Sequence, residues 1–117
     1  MRRDPRALLW DVRDSAEAII AFLAGRTFEE YRRERVLRSA VEREFEIIGE
    51  ALNRLSKTSP EFAARIPELP RAIAFRNLLI HGYAIVDDAT VWRTAHQDLP
   101  SLRTHIADLL NSLGESP

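Results

Sequence analysis

The chain has 117 residues, 45% hydrophobic and 30% charged, with 17 Lys and Arg against 18 Asp and Glu for a formal charge of −1. Size and balance fit a single folded domain over residues 1–117, the near-neutral charge excludes a long electrostatic footprint on duplex nucleic acid, and the lack of cysteine excludes disulfides, thiolate nucleophiles and cysteine-ligated metal sites. The longest apolar run, Ala18 to Ala24, is far short of the ~20 residues a membrane span needs, and nothing behind Met1-Arg2-Arg3-Asp4-Pro5 resembles a signal peptide, so a cytoplasmic protein without a membrane segment is expected.

Asp4 before Pro5 reads as an N-cap with a first-turn proline. Leu8, Leu9, Val12, Ala16, Ile19, Ile20 and Leu23 then recur at helical spacing as far as Gly25. Thr27-Phe28-Glu29-Glu30 has the form of a capping box and opens a second helix. Its apolar stripe, Leu37, Ala40, Val41, Phe45, Ile48, Ala51, Leu52 and Leu55, predicts one helix of roughly 28 residues and about 42 Å. Ser59-Pro60 opens a short turn through Ile66, and Pro67 and Pro70 bracket the entry to a helix ending near His81, with Gly82 as its stop. After a cap at Asp87-Asp88, apolar residues from Val91 to Leu113 mark a last helical region that Pro100 should kink or break. No strand-like alternation or internal repeat appears, so the predicted fold is an all-α, up-and-down helical bundle.

The segment Leu69 to Tyr83 carries the candidate chemistry. Leu69, Ile73, Phe75, Leu78, Leu79 and Ile80 are spread around nearly the whole helix, which predicts a largely buried element. Within it Arg76, Asn77 and His81 flank an apolar stripe, and burying such groups is costly unless they are partnered or used. A structural reading is open: Arg76 paired with Glu46 or Glu50, Asn77 capping a neighbouring helix, and His81 closing its own helix. The functional reading is a site at which these groups meet a substrate. Arg76 and His81 lie about 140° apart around the helix and about 7.5 Å apart along it, so a straight helix does not aim both at one atom, and a cleft between two copies of the chain is expected.

Arg76-Asn77-Leu78-Leu79-Ile80-His81-Gly82-Tyr83 is an Arg-x4-His-x-Tyr pattern, and it resembles the signature of HepT-like toxins of the HEPN superfamily. Glu46-Ile47-Ile48-Gly49-Glu50-Ala51, Ile66-Pro67-Glu68-Leu69, Val86-Asp87 and Val91-Trp92 are similar to further landmarks in the same order, so the resemblance runs from about Asp11 to Leu113. It implies a HEPN-like helical homodimer whose motifs line an interfacial cleft, and a metal-independent ribonuclease without cofactor. It also implies a minimal nucleotidyltransferase antitoxin as partner, able to transfer AMP to the motif tyrosine. Arg76 and His81 match the catalytic pair and Tyr83 the modified residue. Where many relatives have a Trp shortly before the motif, this chain has Pro70-Arg71-Ala72.

The residue types suit that chemistry. Cleaving RNA without a metal requires moving the 2′-hydroxyl proton, stabilising charge on phosphorus and protonating the leaving oxygen. A histidine titrates near neutrality, an arginine grips two phosphate oxygens, and Asn77 can hold the imidazole or a ribose hydroxyl. Glu46 and Glu50, four residues apart on one helix face, call for a neighbouring cation, either in a supporting role at the site or within a solvated ladder Arg38, Glu42, Glu46, Glu50, Arg54. The run from Tyr31 to Arg38 is the densest basic patch, read either as a solvated helix end or as a guide for RNA. His96 and His105 are expected at the surface. The rival class is a catalytically silent HEPN module that binds a nucleotide or dimerises beside a nucleotidyltransferase.

Overall fold

The computed structural model describes residues 4–82 and 86–114. Helix α1 (Pro5–Leu23) starts at the expected cap, where the Asp4 carboxylate accepts a hydrogen bond from the Arg6 backbone N–H at 2.8 Å. Helix α2 (Phe28–Arg33) starts at a complete capping box. Thr27 Oγ1 accepts from the Glu30 N–H at 3.1 Å, and the Glu30 carboxylate accepts from the Thr27 N–H at 2.9 Å.

The expected single helix from Thr27 to Leu55 is in fact two, because α3 (Arg35–Thr58) begins after a break at Glu34, where φ is −102° and ψ 99°. Helical geometry supplies the reason. An unbroken helix would place Tyr31 about 120° from Leu37 and off the buried stripe of α3, whereas Glu34 would fall close to it. The break turns Tyr31 inward against Trp92, with ring centroids 5.7 Å apart, and leaves Glu34 exposed in an ion pair with Arg26.

Helix α4 (Pro60–Ala63) is a single turn, and α5 (Leu69–His81) ends at Gly82, whose φ of +60° is the left-handed conformation a helix stop favours in glycine. Helix α6 (Asp88–Gln97) is capped by Asp87, whose carboxylate accepts from the Ala89 N–H at 3.1 Å. The interruption expected from Pro100 is a full helix end at Asp98. Pro100 then sits in the first turn of α7 (Leu99–Ser112), where its missing N–H costs nothing.

Helix α3 is the spine, with α1 and α5 packed along it, α7 against α1 and α6, and α2 reaching from α3 to α6. The core joins Leu8, Leu9, Val12 and Ile19 of α1, Val41, Ile48, Leu52 and Leu55 of α3, and Leu99, Ile106, Leu109 and Leu110 of α7. No strand occurs among the described residues, and no helix among them is long and apolar enough to cross a membrane. One expectation fails: α5 is not largely buried, for only Leu69 is, while Leu78 and Ile80 remain 42% and 41% exposed. The helix packs mainly on α3.

Candidate functional site on helix α5

Helix α5 divides its surface between α3 and solvent. Counting about 100° per residue from Arg76, the buried or half-buried Leu69, Ile73, Leu79 and Ala72 fall within about 60° of it, on the side facing α3. The exposed Asn77, His81, Ala74 and Leu78 occupy the arc from about 100° to 200°. Arg76 therefore springs from the packed side of the helix and His81 from the open side.

The packed side holds Arg76 because α3 has Gly49 opposite. A Cβ on Gly49 would overlap Arg76 Cβ and lie 2.7 Å from Arg76 Cγ and 3.1 Å from the Ala72 carbonyl oxygen, so the two helices approach to a distance only glycine permits. The Arg76 stem is half-buried there, and its Nε is buried without a hydrogen-bond partner among the described residues. Its Nη1 donates to Asn77 Oδ1 at 2.9 Å, which draws the guanidinium towards the open arc where His81 stands. Tyr83 lies outside the described residues.

Neither Glu46 nor Glu50 neutralises Arg76. Both take Arg43 as their cation, its Nη1 lying 3.2 Å from Glu46 and 3.6 Å from Glu50, so the flanking arginine foreseen beside this acidic pair comes from α3 itself. The acidic ladder is less solvated than a surface stripe, since Arg38, Glu42, Glu46 and Glu50 are all half-buried. Burial, then the nearby Asp88, pushes the Glu42 carboxyl above its usual range, Glu46 adding a smaller push against the pull of Arg38.

The basic run is not uniformly solvated either. Tyr31 is fully buried, its hydroxyl has no hydrogen-bond partner among the described residues, and burial raises its phenol far above the usual value. Arg32 and Arg33 are exposed and both pair with Glu29, at 2.8 and 3.8 Å, and Arg38 reaches both the Arg32 carbonyl and Asp88.

A cluster the sequence did not single out joins the start of α5 to α7. Glu68 is 5% exposed and accepts hydrogen bonds from Ser101 Oγ at 2.6 Å and from His105 Nδ1 at 2.8 Å. His105 is accordingly half-buried rather than a plain surface residue, while His96 is exposed and lies against Trp92. The legible signal was spacing: Ser101 and His105 are one helical turn apart, each directly before a core residue, Leu102 and Ile106. Beside this cluster a groove of about 320 Å³ runs between α3, α5 and α7, lined by Phe45, Ile48, Phe75, Leu78 and Leu102, with Arg71 and Asp98 also in its wall. Among the described residues no group of three or more His, Asp or Glu side chains is placed to hold a metal ion.

Against this geometry, comparison with known proteins is specific. The family described as "Ribonuclease HepT-like" matches residues 12–109. A protein of Thermococcus cleftensis named "Probable ribonuclease HepT" is 38% identical over 106 residues, covering 88% of this chain and 93% of the relative. A protein of Methanocaldococcus jannaschii named as a candidate RNase is 32% identical over 114 residues, covering 97% of each chain. Another so named, from Caldanaerobacter subterraneus subsp. tengcongensis, is 32% identical over 108 residues, covering 92% of this chain and 96% of its own. No solved structure matches the chain significantly.

Proposed function

Because the chain belongs to the HepT-like ribonuclease family, we propose that it is a metal-independent endoribonuclease working as a homodimer, the toxin of a toxin–antitoxin pair. The observation that carries this reading is the exposed arc of α5, which holds Asn77, His81 and the uncovered Leu78, while Ile80 is exposed on another flank at the end of the same helix. An exposed leucine beside the motif, on a helix that its own chain leaves half open, suits a surface that another molecule covers. A second copy docked there would bring two motif helices together and compensate for the angle that separates Arg76 from His81 within one chain.

In that cleft Arg76 grips the scissile phosphate, with Asn77 fixing one of its terminal nitrogens. His81 of one copy takes the proton of the 2′-hydroxyl, whose oxygen attacks phosphorus. The bond from phosphorus to the 5′-oxygen breaks, and the partner's His81 protonates that leaving oxygen. The products are a 2′,3′-cyclic phosphate and a 5′-hydroxyl, and arginine charge stabilises the phosphorane between them. The proposed antitoxin is a minimal nucleotidyltransferase that transfers AMP to Tyr83. The added phosphate would occupy the arginine site and repel RNA.

The test is incubation of the unmodified protein, its mass verified, with end-labelled structured RNA in EDTA. Cleavage leaving 2′,3′-cyclic or 3′-phosphate ends supports the proposal. Absence of cleavage across several RNAs by a dimeric, unmodified protein would favour the silent nucleotide-binding module instead.

A further inference from the structure

The geometry points to Gly49 as a positioning residue for Arg76: the missing side chain on α3 is the seat that fixes where the guanidinium emerges from α5. Glycine in the middle of a 24-residue helix is unfavourable for the helix itself, so its presence here calls for a reason. The contact supplies one. The atoms a Cβ would meet are Arg76 Cβ and Cγ and the Ala72 carbonyl oxygen. Two of these, the Cβ and the carbonyl, are fixed to the α5 backbone, so no rotamer change relieves the overlap and α5 itself must move.

The rest of Arg76 reinforces the seat. Among the described residues its buried Nε has no hydrogen-bond partner, and Nη1 donates to Asn77 Oδ1. The stem is thus held by packing against Gly49 and the tip by one neighbour. A shift of α5 would release both constraints.

The activity arm of the test rests on the ribonuclease reading, and two other readouts stand apart from it. In a 1H–15N spectrum the buried Arg76 Nε–H should give a slowly exchanging arginine signal, assigned by its loss in Arg76→Lys. Gly49→Ala should lose or shift that signal, and kcat/KM for RNA should fall about a hundredfold, mostly in kcat. Ile19→Val, a remote core truncation in α1, should lower Tm while keeping both signal and rate.

Thermal unfolding then tests the contact itself. Gly49→Ala should lower Tm in the wild-type background and in Arg76→Ala, which keeps the offending Cβ, but much less in Arg76→Gly, which removes it. Should Gly49→Ala fail to fold alone, recovery of a folded protein in the Gly49→Ala/Arg76→Gly double variant supports the seat. A double variant no better folded than the single one contradicts it, as does a Gly49→Ala protein with wild-type signal and rate. If the wild type cleaves no RNA, the ribonuclease reading fails while the signal and the Tm comparison still decide the seat.

Discussion

Glu68 and His105, 37 residues apart in sequence, meet at 2.8 Å, and their contact fastens the entry of α5 to the middle of α7. The Glu68 carboxyl feels opposing influences. Burial pushes its pKa up, while hydrogen bonds from Ser101, from its own backbone and from His105 outweigh burial and hold it below its ordinary value of 4.5. A carboxyl depressed in the folded state stabilises the fold above its unfolded pKa, and that contribution disappears as pH falls through the folded value. Glu68→Gln should therefore cost about 1–3 kcal/mol at neutral pH, in keeping with loss of charge-assisted hydrogen bonds. It should also flatten the loss of stability below pH 4.5 in acid unfolding.

Glu42 should behave in the opposite sense. Its folded pKa is raised by burial and by Asp88, so the relief that protonation brings is complete below the ordinary 4.5 and is lost as pH rises through the raised value. Glu42→Gln should raise Tm at pH 7 and leave it nearly unchanged at pH 4, as measured by thermal unfolding at the two pH values.

Tyr31→Phe is expected to stabilise. The ring is fully buried and packs on Trp92, yet its hydroxyl has no hydrogen-bond partner among the described residues. Removing that oxygen deletes a desolvation cost and keeps the aromatic packing, so denaturant unfolding should show a gain of about 1 kcal/mol.

The dimer makes a separate prediction. Leu78 and Ile80 are the large apolar residues α5 leaves exposed, and charging that surface desolvates badly in any interface. Leu78→Asp/Ile80→Glu should sediment as a folded monomer with helical content unchanged and RNA cleavage abolished. A variant that stays dimeric would place the interface elsewhere.

Helix positions were legible because their ends carry marked residues: the capping side chains of Asp4, Thr27 with Glu30, and Asp87, and the left-handed backbone of Gly82, all act where the sequence put them. The break at Glu34 was not, since nothing local separates α2 from α3, and the partner that draws Tyr31 out of line is Trp92, some sixty residues further on. The motif pointed to α5 and periodicity gave the angle between Arg76 and His81, but periodicity also suggested a buried helix. An apolar pattern all round a helix shows that it will be covered without showing whether its own chain does the covering. The partner of Glu46 and Glu50 came from the same helix, three residues before the first, at a spacing the sequence does display. The Glu68 cluster depends on contacts between residues more than thirty positions apart, which no short pattern encodes.

The proposed cleavage rests on Arg76 and His81 acting together beside the open side of α5. Its most direct test is single-turnover cleavage of labelled RNA in EDTA by wild type, Arg76→Ala and His81→Ala, each verified as folded and dimeric, with RNA binding measured alongside. Both variants should lose about a hundredfold or more in rate, with binding weakened chiefly in Arg76→Ala. Wild-type rates in a folded, dimeric His81→Ala protein would contradict it.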